Sequence, residues 1–147
     1  AIKELSIKYS DMHFVYPVHL NPNVQNPVND ILSNLVNVHL IDPLEYVQFV
    51  FLMQSSYIVL TDSGGIQEEA PSLGKPVVVM RNSTERPEAV DAGTVILSGN
   101  SQKRIIECIS NLIENNDEYN RMSKSYNPYG DGNSCYKIAE ILKKTDI

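Results

Sequence analysis

YIVLTDSGGIQEEAPSLGKPVVVM, residues 57–80, decides the fold. Its two ends, YIVL and PVVVM, are short apolar runs rich in β-branched residues, the pattern of strands buried on both faces. Between them Gly64 and Gly65 stand where a strand hands over to a helix. Two glycines permit unusual backbone angles and let a ligand approach the main chain closely. Either Ser63 or Gly64 caps the helix. With Gly64 as the cap, Gln67 falls at the third helical position and reaches back toward it. The unpaired amides and the positive end of the helix dipole together favour a phosphate. Glu68 and Glu69 are placed in the first turn, where one of them can accept hydrogen bonds from sugar hydroxyls. Pro71 removes one backbone bond, so a short or kinked helix is expected. No Gly-Lys-Ser/Thr follows, which excludes a Walker A loop, and the G-x-G-x-x-G spacing is absent. The competing interpretation is a turn that joins strand to helix and binds nothing.

Outward from this stretch, strands and helices alternate. Ile2 to Tyr9 has the spacing of a helix end, and His13 to Val18 that of a strand with Pro17 at its end or edge. Val24 to Leu35 is expected to be helical, capped by Asn21 or Asn23, with Pro27 in its first turn. Val36 to Ile41 alternates as a strand does. Leu44 to Gln54 is expected to form a largely buried helix through Tyr46, Val47, Phe49, Val50 and Met53. After the central stretch, Arg81 to Arg86 is a polar loop, Pro87 to Ala92 a short helix and Thr94 to Leu97 a fifth strand. Ser101 to Asn115 is an amphipathic helix capped by Ser101, and Asp117 is expected to cap a further short helix. Tyr126 to Asn133 is turn-rich, and Ser134 to Lys144 is a last helix with Ile138, Ile141 and Leu142 facing inward. This alternation predicts an α/β fold, a Rossmann-like parallel sheet with helices on both faces. In such sheets the ligand crevice lies beyond the carboxyl ends of the strands. Pro17 to Asn21, Thr61 to Glu69 and Arg81 to Glu88 are therefore expected to converge.

The 147 residues suffice for one domain, and 42% hydrophobic with 20% charged residues is an ordinary globular composition. The net charge of −6, with no basic run, argues against nucleic-acid or membrane-surface partners. Any anionic ligand must be held locally, by helix amides and a few placed cations. Cys108 and Cys135, the only cysteines, have no disulfide-framework or zinc spacing. Reduced thiols and a cytoplasmic location are expected. No apolar run approaches a membrane span and no signal peptide is visible.

The motifs YPVHLNPNV (16–24), LIDPLEY (40–46), LTDSGGIQEEAPSLGKPVVVMR (60–81), TERPEAVDAGT (84–94) and NPYGDG (127–132) carry a resemblance that runs from Phe14 to Lys144. In order and spacing the chain resembles the carboxyl-terminal half of the non-hydrolysing UDP-N-acetylglucosamine 2-epimerases. The resemblance implies one half of a glycosyltransferase-B-type fold, two Rossmann-like domains with the nucleotide sugar between them. Residues 1–147 would be the carboxyl-terminal nucleotide-sugar-binding domain, incomplete at its start. It implies interconversion of UDP-N-acetylglucosamine and UDP-N-acetylmannosamine by elimination and re-addition of UDP, with no metal or redox cofactor. It also implies a homodimer in complete relatives.

By the same resemblance, Ser63, Gly64 and Gly65 match the diphosphate-binding turn, which agrees with the helix-terminus argument. Glu69 matches the carboxylate that holds the ribose hydroxyls. Arg86 matches an arginine at the nucleotide-sugar site, where a fixed guanidinium stabilises charge on the departing diphosphate. Phe49 matches a residue near the uracil, and core packing alone is its other interpretation. His19 matches a histidine of a second, regulatory substrate site; a hydrogen-bonded loop histidine is the alternative. Glu68 is assigned as a solvated helix-start carboxylate, and His13 and His39 as structural.

Two departures matter. Leu44 replaces a glutamine of the family pattern, which puts a side-chain contact to the uracil edge in doubt. The residues also begin after the family's His-Arg-Arg-Glu stretch, so the catalytic residues are expected in an amino-terminal part, on a separate chain or in an omitted region. The first strand of the domain, central in the order 3-2-1-4-5-6, is expected to be missing between the strands at His13 and Tyr57. Three interpretations follow: the UDP-binding half of an epimerase, inactive alone; a non-catalytic UDP-binding remnant; or the donor domain of a glycosyltransferase.

Overall fold

The computed structural model describes residues 1–144. Five short parallel strands alternate with helices: α1 (Ile2–Lys8), β1 (Phe14–Pro17), α2 (Pro22–Leu32), β2 (Val38–Ile41), α3 (Tyr46–Ser55), β3 (Val59–Thr61), α4 (Gly64–Ser72), β4 (Val77–Val79), α5 (Pro87–Asp91), β5 (Val95–Leu97), α6 (Gln102–Glu114), α7 (Asn116–Ser123) and α8 (Ser134–Lys144). β4 is the centre of a three-stranded sheet, β3-β4-β5, and all three of its valines are completely buried. The pleat sends them to opposite faces. Val78 packs with Leu5, Ile105, Ile109, Leu112 and Met122 of α1, α6 and α7. Val77 and Val79 pack with Met53, Ala70, Ala89 and Val95, so α3, α4 and α5 cover the other face. This is the expected doubly covered parallel sheet, and burying each such side chain contributes about 1.5–3 kcal/mol.

β1 and β2 form a separate parallel pair, in the register Phe14↔Val38 to Pro17↔Ile41. The Asn37 side-chain amide ties this pair to the end of α1, donating to the Ser6, Tyr9 and Met12 carbonyls at 2.8–3.3 Å. Among the described residues no ladder joins β1 to β3. An apolar groove of about 320 Å³ lies there instead, lined by Tyr16, Ile31, Leu32, Leu60, Met80 and Ile105. Among the described residues the order is therefore β2-β1, a gap, then β3-β4-β5, and the gap lies between the strands at His13 and Tyr57 as expected.

Several local expectations are corrected. α2 starts at Pro22 with Asn21 as its cap, which puts Pro27 inside the helix and not in its first turn. β2 begins at Val38, and Val36 is 97% exposed. α3 is apolar all round but not largely buried: only Met53 is buried, and Tyr46, Val47 and Phe51 face outward. Asn115, not Asp117, caps α7, accepting from the Asp117 and Glu118 amides at 3.1 Å each. Ser101 occupies the cap position of α6 without a side-chain cap bond. Ile138, Ile141 and Leu142 do not face inward; they are 56%, 65% and 57% exposed. α8 has the amphipathic pattern of a packed helix, but Ile138 and Leu142 on its apolar face remain more than half exposed among the described residues. No helix of the described residues is long and apolar enough to cross a membrane. Cys108 is buried on α6, Cys135 is exposed on α8, and both are free.

Candidate functional site

At the carboxyl ends of β4 and β5 the backbone opens into a cleft of about 580 Å³, lined by Arg81, Asn82, Ser83, Thr84, Glu85 and Asn100. α4 begins beside this cleft. Ser63 is its cap position, with extended backbone and no side-chain cap bond, and Gly64 is its first residue. The hydroxyl of Ser63 is thus not used on its own helix. Thr61 Oγ1 accepts from the Ser63 amide at 3.0 Å and fixes the turn.

The glycine pair does not serve as expected in one respect. Neither Gly64 nor Gly65 has a positive φ, so the turn needs no special backbone angle. The need is for space. A Cβ on Gly64 would lie 2.8 Å from Glu85 Oε1 and 2.9 Å from Arg86 Nη1. Only a residue without a side chain lets the guanidinium of Arg86 approach the first turn of α4.

A buried bridge holds Arg86 there. Gln67, completely buried, donates from Nε2 to the Ser63 carbonyl at 3.2 Å. Its Oε1 accepts from the Thr84 hydroxyl at 2.6 Å, and Thr84 Oγ1 accepts from the Arg86 amide at 3.1 Å. Buried side-chain amides of this kind are retained with their partners, because leaving one unpaired costs about 1–3 kcal/mol. The loop from Arg81 to Arg86 is thereby bolted to α4, and two of the three expected site segments converge.

The charges on this frame are arranged around Arg86. Its Nε donates to Glu68 Oε1, and its Nη1 to Glu85 Oε1 at 2.5 Å. Arg81 Nη1 donates to Glu85 Oε2 at 3.2 Å. The hydrogen bond that Arg86 donates to Glu68 leads the causes that push the Arg86 pKa further up, so the guanidinium carries a permanent positive charge. The carboxyl of Glu85 is held below the usual range, first by its own backbone amide and then by Arg81 and Arg86. Tyr129, from the NPYGDG loop, packs against the core under α4 and α5, and burial raises its phenol pKa.

Glu69 points the other way along α4, toward α3, and accepts from the Tyr46 hydroxyl at 3.1 Å. That bond is the leading cause of the raised Tyr46 pKa. Phe49 lies one turn after Tyr46 and packs, partly buried, against the Met53 and Ala70 cluster. His19 stands apart: it is exposed, and its Nδ1 accepts from the Asn21 amide at 3.1 Å in a local loop bond. His13 and His39 contact each other at 2.9 Å on the β1–β2 pair.

Sequence reasoning placed Glu68 and Glu69 in the first turn of α4; they lie in its second. It took Glu68 for a solvated carboxylate and missed its pairing with Arg86. It also missed Thr84, and Tyr46 as the partner of Glu69. The i, i+4 spacing of Gly64 and Glu68 was the available signal, since it stacks the two positions on one helix face.

Comparison with known proteins gives one consistent answer. The family profile described as UDP-N-acetylglucosamine 2-epimerase matches residues 1–143. UDP-N-acetylglucosamine 2-epimerase of Campylobacter jejuni is 58% identical over 144 residues, covering 98% of this chain and 38% of the relative. The Escherichia coli K12 protein of the same name is 56% identical over 147 residues, 100% of this chain and 39% of its own. Among solved structures, the Neisseria meningitidis UDP-GlcNAc 2-epimerase bound to UDP-GlcNAc superposes with a TM-score of 0.91 at 57% identity, over 98% of this chain and 40% of that one. A S. aureus MnaA structure with UDP gives 0.92 at 43% identity, over 97% of this chain and 39% of that one. The chain thus spans about 40% of the length of the relatives it matches.

Proposed function

Because the chain belongs to the UDP-N-acetylglucosamine 2-epimerase family, we propose that it is the part that grips the UDP moiety of UDP-N-acetylglucosamine. The observation that carries this reading is the Arg86 guanidinium held against the first turn of α4 by the buried Gln67–Thr84 bridge. The Ser63 hydroxyl, the amides at Gly64 and Gly65 and the positive end of α4 meet one side of a diphosphate, and Arg86 meets the other. Glu69 takes the ribose hydroxyls, exchanging its bond to Tyr46 for bonds to the sugar. Phe49, on the neighbouring helix, borders the uracil. In the longer protein this half holds UDP while it leaves and returns during conversion of UDP-N-acetylglucosamine to UDP-N-acetylmannosamine. The acid–base groups and the opposing wall of the site come from an amino-terminal half, and the assembled protein is a cytoplasmic homodimer. His19 belongs to a second, regulatory substrate site.

Calorimetric titration tests this near the temperature of maximum stability, about 10–20 °C. UDP is expected to bind weakly, since one wall of the site comes from elsewhere. Glu69→Ala is expected to weaken UDP by about tenfold, the loss of charge-assisted hydrogen bonds to the ribose, and to leave inorganic diphosphate unchanged. Equal losses for both ligands would show that Glu69 does not contact the ribose.

A further inference from the structure

Resting on that diphosphate reading, we propose that two carboxylates divide the control of Arg86. Glu68 is a positioning residue that fixes the guanidinium against Gly64, and Glu85 is an exchangeable partner that a nucleotide diphosphate displaces.

The two contacts are on different atoms of one fork. Nε, nearer the backbone, is held by Glu68; Nη1, at the tip, is held by Glu85 at 2.5 Å. Their supports differ. Glu68 stands on α4, one turn after Gly64 and on the same helix face, so its carboxylate is fixed relative to the amides of the first turn. Glu85 stands on the loop, and its side chain is 56% exposed, against 41% for Glu68 and 25% for Arg86. Glu85 Oε1 also sits 2.8 Å from the position a Gly64 Cβ would take, next to Arg86 Nη1 at 2.9 Å. With Arg81 on its other oxygen at 3.2 Å, Glu85 places a carboxylate between two guanidinium groups, against the first residue of α4. That is where a phosphate oxygen gains most from the same charges.

A carboxylate and a phosphate cannot share this position. Like charges a few ångströms apart repel strongly near a protein surface, so an arriving diphosphate drives Glu85 out toward solvent. Nε of Arg86 stays on Glu68 throughout, and Nη1 passes from carboxylate to phosphate with its direction unchanged. Without Glu68 the guanidinium is free to follow Glu85 away from α4. The two carboxylates therefore have opposite effects on binding, although both are salt-bridge partners of the same arginine.

The test compares UDP affinity in the full 147-residue chain and its variants by calorimetry, with uridine as the control ligand. Glu68→Gln is expected to weaken UDP by about tenfold, the scale of one charge-assisted bond. Glu85→Gln is expected to tighten it by about threefold, the scale of an exposed ion pair. Uridine affinity is expected to be unchanged in both. The Arg86 Nε–H resonance, displaced by its carboxylate partner, is expected to collapse to the bulk arginine position in Glu68→Gln and to persist in Glu85→Gln. Glu68→Asp, which keeps the charge but shortens the arm, is expected to lose part of the affinity; it serves where Glu68→Gln lowers the melting temperature. Losses of equal sign in both Gln variants would overturn the division of roles, as would an unchanged UDP affinity in Glu68→Gln. Absence of UDP binding by the unaltered chain, under conditions where it is shown by a cooperative melt to be folded at the titration temperature, would overturn the diphosphate reading and this inference with it.

Discussion

Purified by itself and supplied with UDP-N-acetylglucosamine, the 147-residue chain is expected to form no UDP-N-acetylmannosamine above the uncatalysed background. Elimination across C1 and C2 needs a base to take the C2 proton and an acid at the departing oxygen. Such groups work best with pKa values near the operating pH. Three titratable side chains at the cleft are shifted away from this requirement. Glu85 is held between Arg81 and Arg86, with its carboxyl below the usual range. Arg86 is pushed further up and keeps its proton. The Tyr129 phenol is raised by burial, away from neutrality. His13 and His39 are engaged with each other on the β1–β2 pair, and His19 is tied into its own loop. Under the proposed function the site offers charge stabilisation for a diphosphate, one component of catalysis without proton transfer. A coupled assay for UDP-N-acetylmannosamine checks this; turnover that survives rigorous purification would mean that an acid–base pair lies within these residues.

The sheet and the site were legible to different depths, for physical reasons. β3, α4 and β4 were plain in the sequence because an uninterrupted β-branched run has few alternatives to a buried strand. The wholly buried Val77, Val78 and Val79 bear this out. Pairing within the site was less legible. Glu68 and Glu69 are neighbours in sequence, yet a step of one residue around a helix turns them apart, one to Arg86 and one to Tyr46. The Gln67–Thr84 bond joins residues 17 positions apart, and only the crossover from α4 through β4 brings them together. Helix burial was misjudged for a different reason. The apolar residues of α3 and α8 have the pattern of helices that face a core, but pattern records what a helix can bury and not whether a surface is present to cover it. Phe51 at 69% exposure and Ile138 at 56% are the result.

The same uncovered surfaces lead to the second large effect: by itself the 147-residue chain is expected to be unstable or to associate. β1 and β3 each pair on one side only, β1 with β2 and β3 with β4. Their other edges face the apolar groove between Tyr16 and Leu60, and among the described residues no ladder partner covers them; backbone groups that the apolar lining shields from water go unpaired. Each buried unpaired group costs about 1–3 kcal/mol, whereas a whole domain is stable by only about 5–15 kcal/mol. A few such groups therefore consume most of the margin. The exposed apolar faces of α3 and α8 add surface that water also disfavours. Open strand edges and apolar patches have one remedy in common, pairing with another chain. Sedimentation velocity is expected to show association that grows with concentration, and the melting temperature is expected to rise with it, as mass action requires. Dilution to the monomer is expected to leave a broad or low transition. A strictly monomeric chain with a single cooperative melt above about 50 °C, inside the usual mesophile range, would mean that the edges of β1 and β3 close on each other in solution and that the groove between them is not an open seam.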